Sequence, residues 1–193
     1  IERWARVGAG GFRVALPNYG SRVTWDAAER VTAIESEVAR LGSDAGEGGR
    51  ELFAAPHEVR ALLDWLKRAP PSGLRGVVWF RLPTAADSRS WSRDSWHAVM
   101  ADRPLPSARV EAEMVGPDVV AVNRSGIDAP FPETIEVSGQ GCNWADALHG
   151  YELQRRDANA VRFLLSEPRL LRAGERQPVG WVRCAATAKA SVK

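Results

Sequence analysis

Cysteine is scarce in this 193-residue chain: two residues, Cys142 and Cys184, stand 42 positions apart. That excludes a disulfide-rich scaffold and leaves open either one bridge or two thiols. Lysine is scarcer than its charge class suggests, with 3 Lys beside 23 Arg. Net charge is nearly absent: 26 basic residues face 24 acidic ones. A chain so balanced has no general pull toward nucleic acid or anionic lipid. No apolar run approaches the ~18 residues of a membrane-spanning helix. His57, His97 and His149 lack metal-type spacing to one another or to Cys and Glu, so no metal site is expected. There is no G-x-S-x-G elbow and no Walker sequence, and Gly8-Ala9-Gly10-Gly11 is no dinucleotide fingerprint. No cofactor is implied.

What is present is an ordinary globular composition, with 45% hydrophobic residues and eight tryptophans. The first half alternates strand and helix patterns. Residues 12–16 are a short apolar run ended by Pro17-Asn18-Tyr19-Gly20, and residues 22–37 read as a hairpin. Pro56 suits a first helical position, and Val59, Leu62, Leu63 and Leu66 fall on one helical face. Residues 76–82, GVVWFRL, fit a strand buried on both faces, as in a parallel sheet. Ser92 can cap a helix that ends before Pro104. After residue 105 no helical period returns. Short strand-like runs at 108–115, 119–123, 134–137, 151–154, 161–165 and 179–183 alternate with turn signals, the pattern of an antiparallel sandwich.

The expectation is therefore α/β followed by all-β. Residues 1–104 would supply the last βα units of a partial (β/α) barrel, and 105–193 a C-terminal antiparallel β-sandwich. The chain begins at Ile1, which favours a barrel whose earlier strands lie upstream.

Side-chain alternation on GVVWFRL puts Val78, Phe80 and Leu82 on one face, suited to outer helices. Val77, Trp79 and Arg81 would point into the barrel. Ligands of parallel α/β folds bind at the carboxyl ends of the strands. The loops leaving those ends supply Asn18, Tyr19, Asp87 and Trp91, which with Trp79 and Arg81 form the candidate substrate site. Aromatic faces stack on sugar rings, and Arg donates to hydroxyls or carboxylates. Glycoside hydrolysis needs two carboxylates about 5 to 10 Å apart. Only Asp87 stands at these ends, so no catalytic pair is assigned. The plainer alternative makes Trp79 a core residue and Asp87 with Arg89 a loop ion pair. In the second half, Trp181 reads as part of a core-closing strand and Trp144 as an exposed stacking candidate. The Arg-rich stretches at 155–156 and 169–176 are interleaved with acids and lack the aromatics of single-strand binders, so no nucleic-acid partner is expected.

LPNYG at 16–20, WFRLPTAADSRSW at 79–91 and the tail ending in VGWVRC at 179–184 resemble the C-terminal part of an uncharacterised bacterial family. It is the domain-of-unknown-function family numbered three-one-four-two. The similarity extends from about Phe12 to Cys184. The resemblance implies an envelope or periplasmic protein, often lipoprotein-like, with a glycosidase-like barrel followed by a β-domain. It carries no established activity, only a hint of carbohydrate chemistry, and leaves a cytoplasmic location open. The reading is thus a carbohydrate-active or carbohydrate-binding protein. The competing class is a non-catalytic envelope scaffold for a protein partner.

Overall fold

The structure, a computed structural model, describes residues 10–36, 49–84 and 89–193 together with Arg3 and Asp87. Among them strands account for 47% and helices for 13%. There is no barrel. β1 (Phe12–Pro17) and β5 (Leu74–Phe80) do pair in parallel, with Ala15 opposite Val78 and Leu16 opposite Trp79. They form a sheet of two strands only. The reason lies in the connection. β1 does not lead into a helix but turns at Asn18-Tyr19 into β2 (Gly20–Trp25), which pairs antiparallel with β3 (Val31–Glu35) and β4 (Gly49–Phe53). One helix, α1 (Pro56–Arg68), then carries the chain back to β5. A single crossover around a three-stranded antiparallel sheet cannot repeat into a closed ring of βα units.

α1 starts with Pro56 at its first turn and buries Val59, Leu63 and Leu66. α2 (Arg93–Met100) is capped by Ser92, whose hydroxyl accepts from the Ser95 N–H at 3.2 Å. Together they cover one face of the parallel pair, where Leu16, Trp91 and Val99 are buried against Val14, Val77 and Trp79. The two faces of β5 are therefore the reverse of those expected. Val77 and Trp79 lie under the helices. Val78 and Phe80 face solvent at 42% and 58% exposure, as does Leu82 just beyond at 66%. Arg81 follows the strand with φ +92°, so it leaves the alternation altogether. Among the described residues no helix is long and apolar enough to cross a membrane.

The second half is antiparallel throughout. β6 (Val110–Val115), β7 (Asp118–Asn123), β10 (Trp144–Ala147) and β14 (Arg176–Arg183) form one four-stranded sheet in the order β10-β14-β7-β6. β9 (Thr134–Ser138), β11 (Tyr151–Asp157), β12 (Ala160–Leu165) and β15 (Lys189–Val192) form the other, in the order β11-β12-β9-β15. β8 (Ala129–Pro130) and β13 (Leu170–Leu171) pair as a short ribbon. Strand alternation sends Val119, Ala121, Val179 and Val182 of the first sheet against Ile135, Val137, Val161 and Phe163 of the second. Cys142 and Cys184 are joined in a disulfide just beyond the Trp144–Arg183 pair of the β10–β14 ladder, two residues before Trp144 and one after Arg183.

One glycine in this core has no spare room. A Cβ on Gly180 would overlap the buried Phe163 ring and stand 2.5 Å from the Asp146 carbonyl oxygen. Neither neighbour can withdraw, because one is core and the other is ladder backbone. Gly180→Ala is expected to cost about 3 kcal/mol by overpacking. Equilibrium urea unfolding measures it, and a cost below ~0.5 kcal/mol would show that the two sheets can separate locally.

Candidate functional site

The end of β1 and the segment after Asp87 are zipped together by their backbones. Gly20 N–H donates to the Arg89 carbonyl (2.8 Å) and Trp91 N–H to the Asn18 carbonyl (2.8 Å), with a bridge between Tyr19 and Ser90. This zipper gathers all six sequence-predicted residues into one knot. Asn18 is fully buried, and its Nδ2 donates to the Arg81 carbonyl at 3.0 Å. The Arg81 guanidinium pairs with the Asp87 carboxylate, donates to the Ser36 carbonyl at 2.8 Å and lies 4.6 Å over the Tyr19 ring. The other oxygen of Asp87 accepts from the backbone N–H groups of Arg89 (3.0 Å) and Ser90 (3.1 Å). Trp91 is buried and donates its indole N–H to the Ala54 carbonyl at 2.6 Å. Trp79 meets Trp91 and Trp96 edge-on, at 6.1 and 6.4 Å between ring centroids.

Chemically, the knot is occupied by itself. Asp87 has spent its acceptors and Arg81 its charge, and the two tryptophans are packed inside. Tyr19, Trp79 and Arg81 keep partial exposure, while Asn18, Asp87 and Trp91 are buried. The anticipated loop ion pair is also rearranged: Asp87 pairs with Arg81, while the Arg89 guanidinium makes a forked contact to Glu51 at 2.8 and 3.2 Å. That contact, with Glu35 at 3.8 Å, raises the Arg89 pKa above its already high ordinary value.

Beside the knot lies an open cleft of about 470 Å³ between the two halves of the chain. Its N-terminal wall carries Glu51, Phe53 and Arg89. Its C-terminal wall carries Glu167, Arg169, Arg172 and Glu175, from the segment around β13, with Phe131 behind. Arg22 spans the halves, donating to both oxygens of Glu167 at 2.7 and 3.0 Å and lying 3.9 Å from Glu51. The Arg169 guanidinium sits 4.3 Å over the Phe131 ring. Its burial lowers its pKa from the ordinary arginine value.

The halves are stitched around this cleft. The Asp128 carboxylate, fully buried, accepts from Ser92 N–H (2.6 Å) and Ala173 N–H (2.9 Å). Its own N–H donates to the Ser95 hydroxyl at 2.8 Å. Arg172 donates to the carbonyls of Asp87 and Ser90.

Sequence reasoning placed the strand-end residues together but not the cleft, whose walls come from residues far apart in the chain. The alternation of Arg and Glu at 167–176 was the available signal. The sequence weighs that run only as a nucleic-acid site, which its acids argue against. On the outer face of the β10-β14 ladder Trp144 is 71% exposed, next to Trp181 and Arg183.

Residues 1–85 match the family model described as Domain of unknown function (DUF3142), and residues 101–185 the model described as Domain of unknown function (DUF8456). LPNYG and the start of the 79–91 motif fall in the first match, VGWVRC in the second. No curated protein matches the chain.

Proposed function

We propose that this chain, whose N-terminal segment belongs to the domain-of-unknown-function family of the 3142 type, binds a carbohydrate in the cleft between its halves. The observation that carries the reading is the lining. Planar guanidinium and carboxylate groups, pre-oriented by the Arg89–Glu51 and Arg22–Glu167 pairs, stand beside the half-buried ring of Phe53. Such groups make paired hydrogen bonds to vicinal hydroxyls, and an aromatic wall takes the apolar face of a sugar ring. The reading is of binding rather than hydrolysis. Glu51 and Glu167 are both held by guanidinium groups, which leaves neither free for the acid role that glycoside cleavage requires. A disulfide-bonded domain suits an oxidising compartment, which supports placement at the cell envelope.

The test is a thermal melt of the oxidised chain with a panel of soluble oligosaccharides. Ligand at ~100 times its Kd stabilises by about 2.7 kcal/mol and raises the midpoint by several degrees. Glu51→Gln keeps the shape but releases Arg89, and is expected to weaken the effective glycan about tenfold. If no glycan moves the midpoint, the carbohydrate reading fails. A second reading then stands, docking of a protein partner, favoured by the solvent-facing apolar row of Val78, Phe80 and Leu82.

A further inference from the structure

Resting on that reading, we infer that the glycan held in the cleft is acidic, its carboxylate received by Arg169 and Arg172. The four guanidinium groups around the cleft are not equivalent. Arg89 is forked onto Glu51, and Arg22 onto Glu167. Arg169 and Arg172 flank the two leucines of β13, and among the described residues neither has a carboxylate within ion-pair distance.

Their hydrogen bonds are equally incomplete. Arg169 donates from Nη2 to the His149 carbonyl, while its buried Nε has no partner. Arg172 donates from Nη2 to the carbonyls of Asp87 and Ser90, and among the described residues its Nε and Nη1 make no hydrogen bond. A half-buried guanidinium without a counter-charge is costly, and the cost falls when an anion arrives. Burial depresses the pKa of Arg169, and the more distant charges of Glu175, Glu167 and Glu51 offset that effect only in part.

The carboxylates of the cleft do not meet it. Glu51 and Glu167 are spent on Arg89 and Arg22. Glu175 makes no ion pair with either arginine among the described residues; one of its oxygens accepts from the Arg172 backbone N–H at 2.9 Å. It is the one acid that would compete with an incoming carboxylate. A planar carboxylate suits the guanidinium fork better than a hydroxyl does. In a polyhydroxylated ligand a uronic acid supplies that group.

The test is calorimetric titration of the full chain with trigalacturonate and with the neutral galactose trimer of the same linkage, at low and moderate salt. The acidic trimer is expected to bind about tenfold tighter, with an advantage that shrinks as salt rises. Arg172→Gln should bring it down to the level of the neutral one. Should that variant fail to fold, Glu175→Gln decides. It keeps the acceptor for the Arg172 N–H, removes the competing charge, and should tighten the acidic trimer about threefold while leaving the neutral one unchanged. Equal affinity for the two trimers overturns the inference and leaves the carbohydrate reading standing. Binding of neither trimer, or of any other glycan, overturns both.

Discussion

Reduction of the Cys142–Cys184 bridge lowers the melting midpoint of the chain by roughly 10 °C, the largest effect expected of any single covalent change. The bridge closes a loop of 42 residues. In the chain-entropy model a loop of that length restricts the unfolded ensemble by about 4 kcal/mol. For a domain near this size each kcal/mol moves the midpoint by about 2–4 °C. The local structure holds the two cysteines close without the bridge. Cys142 is fully buried in the core, and the adjoining β10–β14 ladder already holds the two backbones side by side. Loss of the bridge also frees β10, an edge strand of only four residues that carries the exposed Trp144. Calorimetry with and without reductant, repeated on the Cys142→Ser/Cys184→Ser double variant, measures the effect. An unchanged midpoint would mean that the oxidised and reduced unfolded chains are equally restricted, and the entropic account of this bridge would be wrong.

Asp128→Ala comes next, with an expected loss of about 4 kcal/mol. Asp128 has no exposed surface and accepts two backbone N–H bonds, one from each half of the molecule. Alanine leaves both donors buried without partners and removes the tie between the start of α2 and the turn after β13. Asp128→Asn separates shape from acceptor capacity. Its single carbonyl oxygen keeps one bond, while its amide meets the second donor with a donor, so about half the loss is expected. The larger consequence is in cooperativity. Six of the eight tryptophans, Trp4, Trp25, Trp65, Trp79, Trp91 and Trp96, lie in the N-terminal half, and Trp144 and Trp181 in the C-terminal half. In the parent chain, urea transitions followed by fluorescence and by backbone dichroism should coincide. In Asp128→Ala they should separate, the N-terminal half melting first. Coincident transitions in the variant would show that Arg172 and Arg22 hold the halves together without Asp128.

Much of the fold was legible where the pattern is local. The helical spacing of Val59, Leu63 and Leu66 is buried as a face, and Ser92 caps the helix its position suggests. The barrel was not there, and GVVWFRL shows why it was read. An apolar run without alternation fits a strand covered on both sides, yet nothing in the run states that both covers exist. Here one layer of helices covers Val77 and Trp79, and Val78 and Phe80 are left in solvent. The strand-end rule located Asn18, Tyr19, Arg81, Asp87 and Trp91 in one place. It could not say that Arg81 turns at positive φ to meet Asp87 and that the group closes on itself. The cleft was invisible for a different reason. Glu51, Arg89 and Arg172 become neighbours through pairings between the halves, and such long-range placements leave no period in the sequence.

The joint between the two matched family segments has a consequence for inheritance. The first match ends at residue 85 and the second begins at 101. The fifteen or so residues between them, outside either match, contain Asp87, Arg89, Ser90, Ser92 and Ser95, the groups that Arg172, Glu51 and Asp128 hold. The partners of this connector are distributed over both matched segments. Recombination that cut the gene here and joined either segment to a foreign companion would deliver one side of each bond without the other. The two segments are thus bound to travel as a set with their connector. Exchanges between relatives should survive only where Asp128 and Arg172 meet a connector that keeps its backbone course and the Ser95 hydroxyl.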